Sequence, residues 1–162
     1  MRRLLLIPAL LALTLPALAG ARPTAPGDGT LTLKNASGKV VIQARGGVIG
    51  RFDQGALTVR DPNPDDELEA IVTGAASKRL VNDFVTVYSG KNIRFRFIGG
   101  RFKITLWKTT TGIDLSATGK GTVTLQAGGS LDDGTYSFNG EKPKLLPLLE
   151  DEFPLGASAS GP

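Results

Sequence analysis

The chain has 162 residues, 41% of them hydrophobic and 21% charged, with 21 Gly and 10 Pro, a composition that is neither disordered nor collagen-like and suits one folded domain. Its formal charge is +4, but with Arg2 and Arg3 set aside the 19 basic residues become 17 against 15 acidic ones, so bulk charge points to no partner. With no Cys and no His, disulfides, thiol nucleophiles, His-based triads and ordinary zinc or copper sites are excluded.

Met1 to Arg3 form a short positive head, and Leu4 to Ala19 form a Leu/Ala-rich run ending in Ala17-Leu18-Ala19. Small residues at those two flanking positions suit signal peptidase, so residues 1–19 are expected to be a signal peptide cleaved before Gly20, with a secreted or periplasmic product. Pro8 and Pro16 interrupt the run, and it falls short of the roughly 20 apolar residues that span hydrocarbon. No later segment is long and apolar enough to span, so no transmembrane segment is expected in the mature chain. Residues 20–27, rich in Pro, Ala and Gly, read as a flexible leader.

From Asp28 to about Asn139 the pattern has period two: Leu31/Leu33, Val40/Ile42/Ala44, Leu57/Val59, Val85/Val87, Ile93/Phe95/Phe97, Phe102/Ile104/Leu106, Ile113/Leu115 and Val123/Leu125. Polar residues sit between these and turn residues punctuate them, which predicts an all-β fold: a single antiparallel β domain over 28–139, built as a sandwich, β-roll or barrel. Only Ala75 to Leu80 reads as a short helix. Leu31-Thr-Leu33 with Ser37-Gly-Lys39 and Gly46-Gly47 resembles Val85-Thr-Val87 with Ser89-Gly-Lys91 and Gly99-Gly100, but ordinary strand and turn chemistry accounts for the likeness.

Between these runs, Asp61-Pro-Asn-Pro-Asp-Asp-Glu67 reads as a rigid acidic loop, because its prolines bar a central strand. Residues 140–155 carry Leu145, Leu146, Leu148, Leu149 and Phe153 around Glu150-Asp-Glu152 and read as an apolar C-terminal strap. Residues 156–162 are expected to be a disordered tail.

Turn lengths suggest a register for the middle of the chain. Gly99-Gly100 as a two-residue hairpin loop sets Phe97 opposite Phe102, Phe95 opposite Ile104 and Ile93 opposite Leu106. A loop at Ser89 to Lys91 places Val87 beside Ile93 and Val85 beside Phe95, and one at Lys108 to Thr111 places Ile113 beside Leu106 and Leu115 beside Ile104. All the apolar side chains then share one face, which a slip of one residue would turn outward.

The opposite face of that meander carries Phe84, Thr86, Tyr88, Arg94, Arg96, Arg101, Lys103, Thr105, Trp107, Asp114 and Ser116. Arg96 falls opposite Lys103, a repulsive pair, and Phe84 stands within cation–π reach of Arg96. Arg94, Arg96, Arg101 and Lys103, with Trp107 and Tyr88, are therefore the candidate ligand-binding residues, an anion platform with aromatic support. Two other readings stay open: the strap covers this face and pairs its acids with the basic row, or the row is ordinary solvated surface.

Other chemistry is weak. Asp61, Asn63 and Asp65 have calcium-loop spacing, but Asp66 stands where an EF-hand needs Gly and Val72 where it needs Glu. Asp28-Gly-Thr30 and Asp133-Gly-Thr135 match an aspartic-protease triplet in letters only, and Asp-Gly is common turn chemistry. No carboxylate pair stands out for glycoside hydrolysis, and the glycines are spaced as turns rather than as a phosphate loop. The expectation is a non-enzymatic envelope protein without cofactor or metal, binding an anionic polymer or lipid headgroup, with no nucleic-acid motif. A self-assembling envelope protein pairing through strand edges is the alternative, and a polysaccharide-acting enzyme stands behind both.

Overall fold

Alternation of β-branched or aromatic residues with polar ones leaves one face of a chain apolar, and in the computed structural model these runs are strands. The structure describes residues 27–62 and 68–156. The expected signal peptide 1–19, nearly all of the 20–27 leader, the acidic stretch 63–67 and the tail beyond Gly156 lie outside the described residues. The strands are β1 Gly29–Ala36, β2 Gly38–Arg60, β3 Glu69–Asn82, β4 Val85–Leu106, β5 Ile113–Ala127, β6 Thr135–Phe138, β7 Lys144–Leu145 and β8 Asp151–Leu155.

The fold is all-β, with one antiparallel sheet that is not closed. Strands run in the order β3-β4-β2-β5-β1-β6-β7, and β8 pairs with β5. The segment expected to be a short helix, Ala75 to Leu80, is instead part of β3 and pairs with β4 through bulges. Its backbone groups find partners along β4, and an isolated turn of helix would lack them.

The sheet is bent back on itself. Ala36 pairs with Ile113 at the start of β5, while Gly38 pairs with Ala127 at its end. Because only one residue separates Ala36 from Gly38, the two ends of β5 lie within about 18 Å of each other, against about 46 Å for a straight strand of that length. The bend follows a row of paired glycines, Gly29–Gly119–Gly46–Gly99, that crosses β1, β5, β2 and β4. At Gly46 a Cβ would collide with the Thr118 carbonyl oxygen, and at Gly119 it would collide with that of Arg45. The backbones pack against each other where side chains would otherwise stand.

Two halves result. In the first, β1 and the start of β5 lie beside β2 from Val48 to Phe52, β4 from Ile93 to Phe97 and the start of β3. In the second, β8 and the end of β5 lie beside β2 from Val40 to Ala44 and β4 from Phe102 to Leu106, and the last residues of β2, Leu57 to Arg60, pair along the far side of β4. The inner faces of both supply the core: Leu31, Leu33, Phe52, Ile93, Phe97 and Ile113 from one, Ile42, Leu57, Phe102, Ile104, Leu106 and Leu125 from the other, each 0–2% exposed. A chain of rings, Phe52–Phe95–Phe97–Phe102, with centroids 6.4, 5.9 and 6.2 Å apart, crosses from one half to the other.

The proposed meander is corrected in three places. Gly99-Gly100 is a bulge, not a hairpin loop: β4 runs straight through, Arg45 pairs with Arg101, Gly46 pairs with Gly99, and Gly100 is the extra residue. Both glycines have positive φ, 82° and 51°, which suits a bulge as well as it suits a tight turn. A bulge shifts side-chain parity by one just as a hairpin does, so Ile93, Phe95, Phe97, Phe102, Ile104 and Leu106 are all buried although the predicted pairings among them are absent.

Secondly, β5 does not pair with β4. Strand β2 lies between them, and Val40 contacts Leu106 on one side and Leu125 on the other. Thirdly, Ser89 to Lys91 is not a loop. Strands β2 and β4 pair in one register from Val48–Phe97 to Arg60–Val85, and the ribbon passes from the first half to the second where Gly55 meets Gly90. The face turned to the core changes there, so Tyr88 pairs with buried Leu57 and packs against the core, while Val85 and Val87 point away.

Residues 140–155 do not cover the basic row. Leu146 is buried, β8 is an edge strand along β5 from Gly121 to Leu125, and Phe153 packs with Tyr136 and Phe138 at centroid distances of 5.3 Å. Glu150 pairs with Lys39, Nζ to Oε2 2.6 Å.

Candidate functional site

The six candidate residues separate into four places. Arg94 and Arg96 lie on the outer face of the first half. Arg96 stands between Ile49 and Ile71 rather than opposite Lys103, and its Nη2 bonds Glu69 Oε2 at 3.2 Å. Arg94 stands between Arg51 and Thr73. Together with Lys34, Asp114 and Ser116 these residues border a shallow groove of about 420 Å³. Part of its charge is met internally, since Arg51 donates to Asp114 Oδ2 from Nη2 at 2.6 Å and from Nε at 3.1 Å.

Asp114 also accepts a hydrogen bond from the backbone N–H of Asn35 at 2.9 Å. That bond, with the Arg51 guanidinium, holds its carboxyl below the usual carboxylate range despite the opposing desolvation. A carboxyl whose pKa is lower folded than unfolded adds stability above the ordinary Asp range, and this is lost as pH falls through the folded pKa. Asp114→Asn is accordingly expected to lower the urea midpoint at neutral pH, with the gap to the natural chain closing below about pH 4. A gap that is constant from neutral pH into that range would refute the ion-pair account.

Tyr88 leaves the platform. Trp107 stays on the outer face of the second half, where its Nε1 donates to Thr58 Oγ1 at 3.0 Å, but it does not line the basic groove of that half. Tyr88 lies on the core side with Lys78 Nζ 5.7 Å from its ring centroid, and this is a cation–π contact in place of the predicted Phe84–Arg96 one. Asp133 is a turn residue, as its Asp-Gly context implied: its Oδ2 accepts from the backbone N–H of Gly129 and of Ser130.

Arg101 and Lys103 lie on the outer face of the second half, next to the bend, and there the structure adds cations from distant parts of the chain. Arg45 pairs with Arg101 on one side and with Lys120 on the other, and Lys103 pairs with Gln43 and with Arg60. Paired residues of adjacent strands share a face, so Arg45, Arg60, Arg101, Lys103 and Lys120 all project outward together. With Gln43, Ala44, Pro62 and Phe102 they line a groove of about 610 Å³, and among the described residues no Asp or Glu lines it.

Arg45, Arg60 and Lys120 were absent from the sequence-based set. Arg45 and Arg60 each occupy the outward position beside a predicted apolar one, Ala44 and Val59, and Lys120 lies between Gly119 and Gly121, at an outward position in the alternation that runs on through Val123 and Leu125 further along β5. That alternation marks them as outward-facing, but nothing local places residues 45, 101 and 120 in one row.

Like charges directly opposite on a sheet each cost on the order of 0.2–1 kcal/mol, and this groove holds three such pairs, Arg45–Arg101, Arg45–Lys120 and Arg60–Lys103. Like charges also meet at Arg51–Arg94 in the first half, where Arg51 pairs with Asp114 and Arg96 with Glu69. The groove has the guanidinium and ammonium donors to hold phosphate, sulfate or carboxylate groups, and no convergent acid, base or nucleophile among its described residues. No family model matches the chain, and no similar curated protein or solved structure is found.

Proposed function

We propose that the chain is an exported, non-enzymatic binding module that holds an anionic ligand of the cell envelope, a polymer or a headgroup, in the basic groove at the bend of the sheet. The observation that carries this reading is the gathering of Arg45, Arg60, Arg101, Lys103 and Lys120 along one groove that, among the described residues, no Asp or Glu lines. The N-terminal pattern of residues 1–19 supports export, which sets the groove among such anions. The site differs from the platform expected from sequence: it keeps Arg101 and Lys103 and replaces the others with Arg45, Arg60 and Lys120. The bent sheet is best read as a β-roll, two facing halves joined by continuous strands.

The test is retention of the protein on dextran sulfate or polyphosphate against salt. If five cations each release counterions as in single-stranded nucleic-acid binding, log K falls with log salt at a slope of about −3.5, or on the order of a hundredfold between 50 and 200 mM. Binding that is absent, or indifferent to salt, overturns the reading. Assembly through strand edges is less favoured. Edge strand β3 leaves Ile71, Leu80 and Val81 exposed, but it is bulged between Thr73 and Ser77 and carries Lys78 and Arg79, features that protect an edge from pairing.

A further inference from the structure

The cations of the groove do not converge on one point. Lys120, Arg45 and Arg101 follow one another across β5, β2 and β4 in a single row of paired residues. Lys103 lies two residues beyond Arg101 on the same strand and face, and Arg60 pairs with Lys103 from the end of β2. Taken in order, Lys120, Arg45, Arg101, Lys103 and Arg60 form a single file running obliquely over four strand segments. With strands about 4.8 Å apart and about 6.7 Å between alternate residues, the file is about 16 Å long.

We propose that the groove takes a linear chain of repeating anionic charges laid along this file, rather than a single phosphate or carboxylate headgroup; the inference rests on the basic groove being the ligand site. A lone headgroup is best held by donors aimed at one centre, such as a backbone nest or a helix N-terminus. Here the charges come from side chains in a line, and each anion reaches only the one or two cations next to it. A chain with a charge every ~3.4 Å, the spacing along one nucleic-acid strand, sets about five charges over the file.

The test uses the full chain and inorganic phosphate, pyrophosphate, tripolyphosphate and polyphosphates of increasing defined length, titrated by calorimetry at fixed low salt. Affinity is expected to rise steeply up to about five phosphates and then only with the number of binding positions per chain. The double variant Arg45→Gln with Lys120→Gln removes one end of the file. It is expected to bind long polyphosphate at least tenfold more weakly, to leave tripolyphosphate binding within about twofold, and to reach its plateau at about three phosphates. Both replaced side chains are exposed, and an unchanged thermal midpoint or a raised one reports an intact fold.

If inorganic phosphate binds as tightly as the long chains, or the variant loses equally at every length, the linear file is wrong while the basic groove stands as a single-anion site. If no length of polyphosphate binds, the groove reading falls and the file falls with it.

Discussion

Replacing Arg45 by Glu is expected to make the protein more stable and to disarm its groove. Arg45 stands between Lys120 and Arg101, so the change turns two repulsive cross-strand pairs into two attractive ones. At 0.2–1 kcal/mol of repulsion removed and as much attraction added at each of the two pairs, the fold gains about 1–4 kcal/mol, a rise of at least roughly 3 °C in thermal midpoint for a domain of this size. Binding moves the other way. The variant loses one charge-assisted contact, worth about 1.5–3 kcal/mol, so affinity for polyphosphate falls by about ten- to a hundredfold, and repulsion by the new carboxylate deepens the loss. The opposed signs separate function from structure. If Arg45 served the fold, through its aliphatic stem or a hidden partner, the Glu variant would melt earlier. Scanning calorimetry and polyphosphate titration on the same sample decide it, and a lower midpoint with unchanged binding would remove the groove as a ligand site.

Alanine at Gly46 or at Gly119 is expected to cost about 3 kcal/mol or more, a large share of the 5–15 kcal/mol that holds a domain together. A Cβ at Gly46 would meet the Thr118 carbonyl oxygen and come within 2.8 Å of Gly119 Cα, and one at Gly119 would meet the Arg45 carbonyl oxygen and come within 3.0 Å of Gly46 Cα. All these neighbours are backbone atoms of paired strands and cannot rotate aside. Their φ values, +148° and +149°, are also ones that L side chains rarely adopt. Gly129 is the control: its φ is +143°, but nothing lies within 4 Å of an added Cβ, so Gly129→Ala carries only the conformational strain, about 1–3 kcal/mol, which Gly46→Ala and Gly119→Ala carry in addition to their clashes. Urea unfolding measures all three. A Gly46→Ala variant as stable as Gly129→Ala would mean that the sheet bends without needing close backbone approach. Because Arg45, Lys120 and Arg101 flank the glycine row, a relaxed bend also spreads the groove and weakens polyanion binding.

The alternation of apolar and polar residues was enough to show that the chain is all-β and which way most side chains point. Leu31, Ile42, Phe52, Phe97, Phe102 and Leu125 are inward because each belongs to an apolar face whose period is set by its own strand, and burial of that face holds the strand in place. The outward direction of Arg94, Arg96, Arg101 and Lys103 was legible for the same reason. Which strands are neighbours was not. Gly99-Gly100 suits a turn and a bulge equally, since both need positive φ, and only the pairing of Gly99 with Gly46 and of Arg101 with Arg45, more than fifty residues earlier, decides between them. The face of Tyr88 and the gathering of Arg45, Arg60 and Lys120 around Arg101 and Lys103 depend on that same choice. Side-chain direction follows from local backbone geometry and can be read along one strand, whereas a site assembled across strands exists only once distant segments have found their partners.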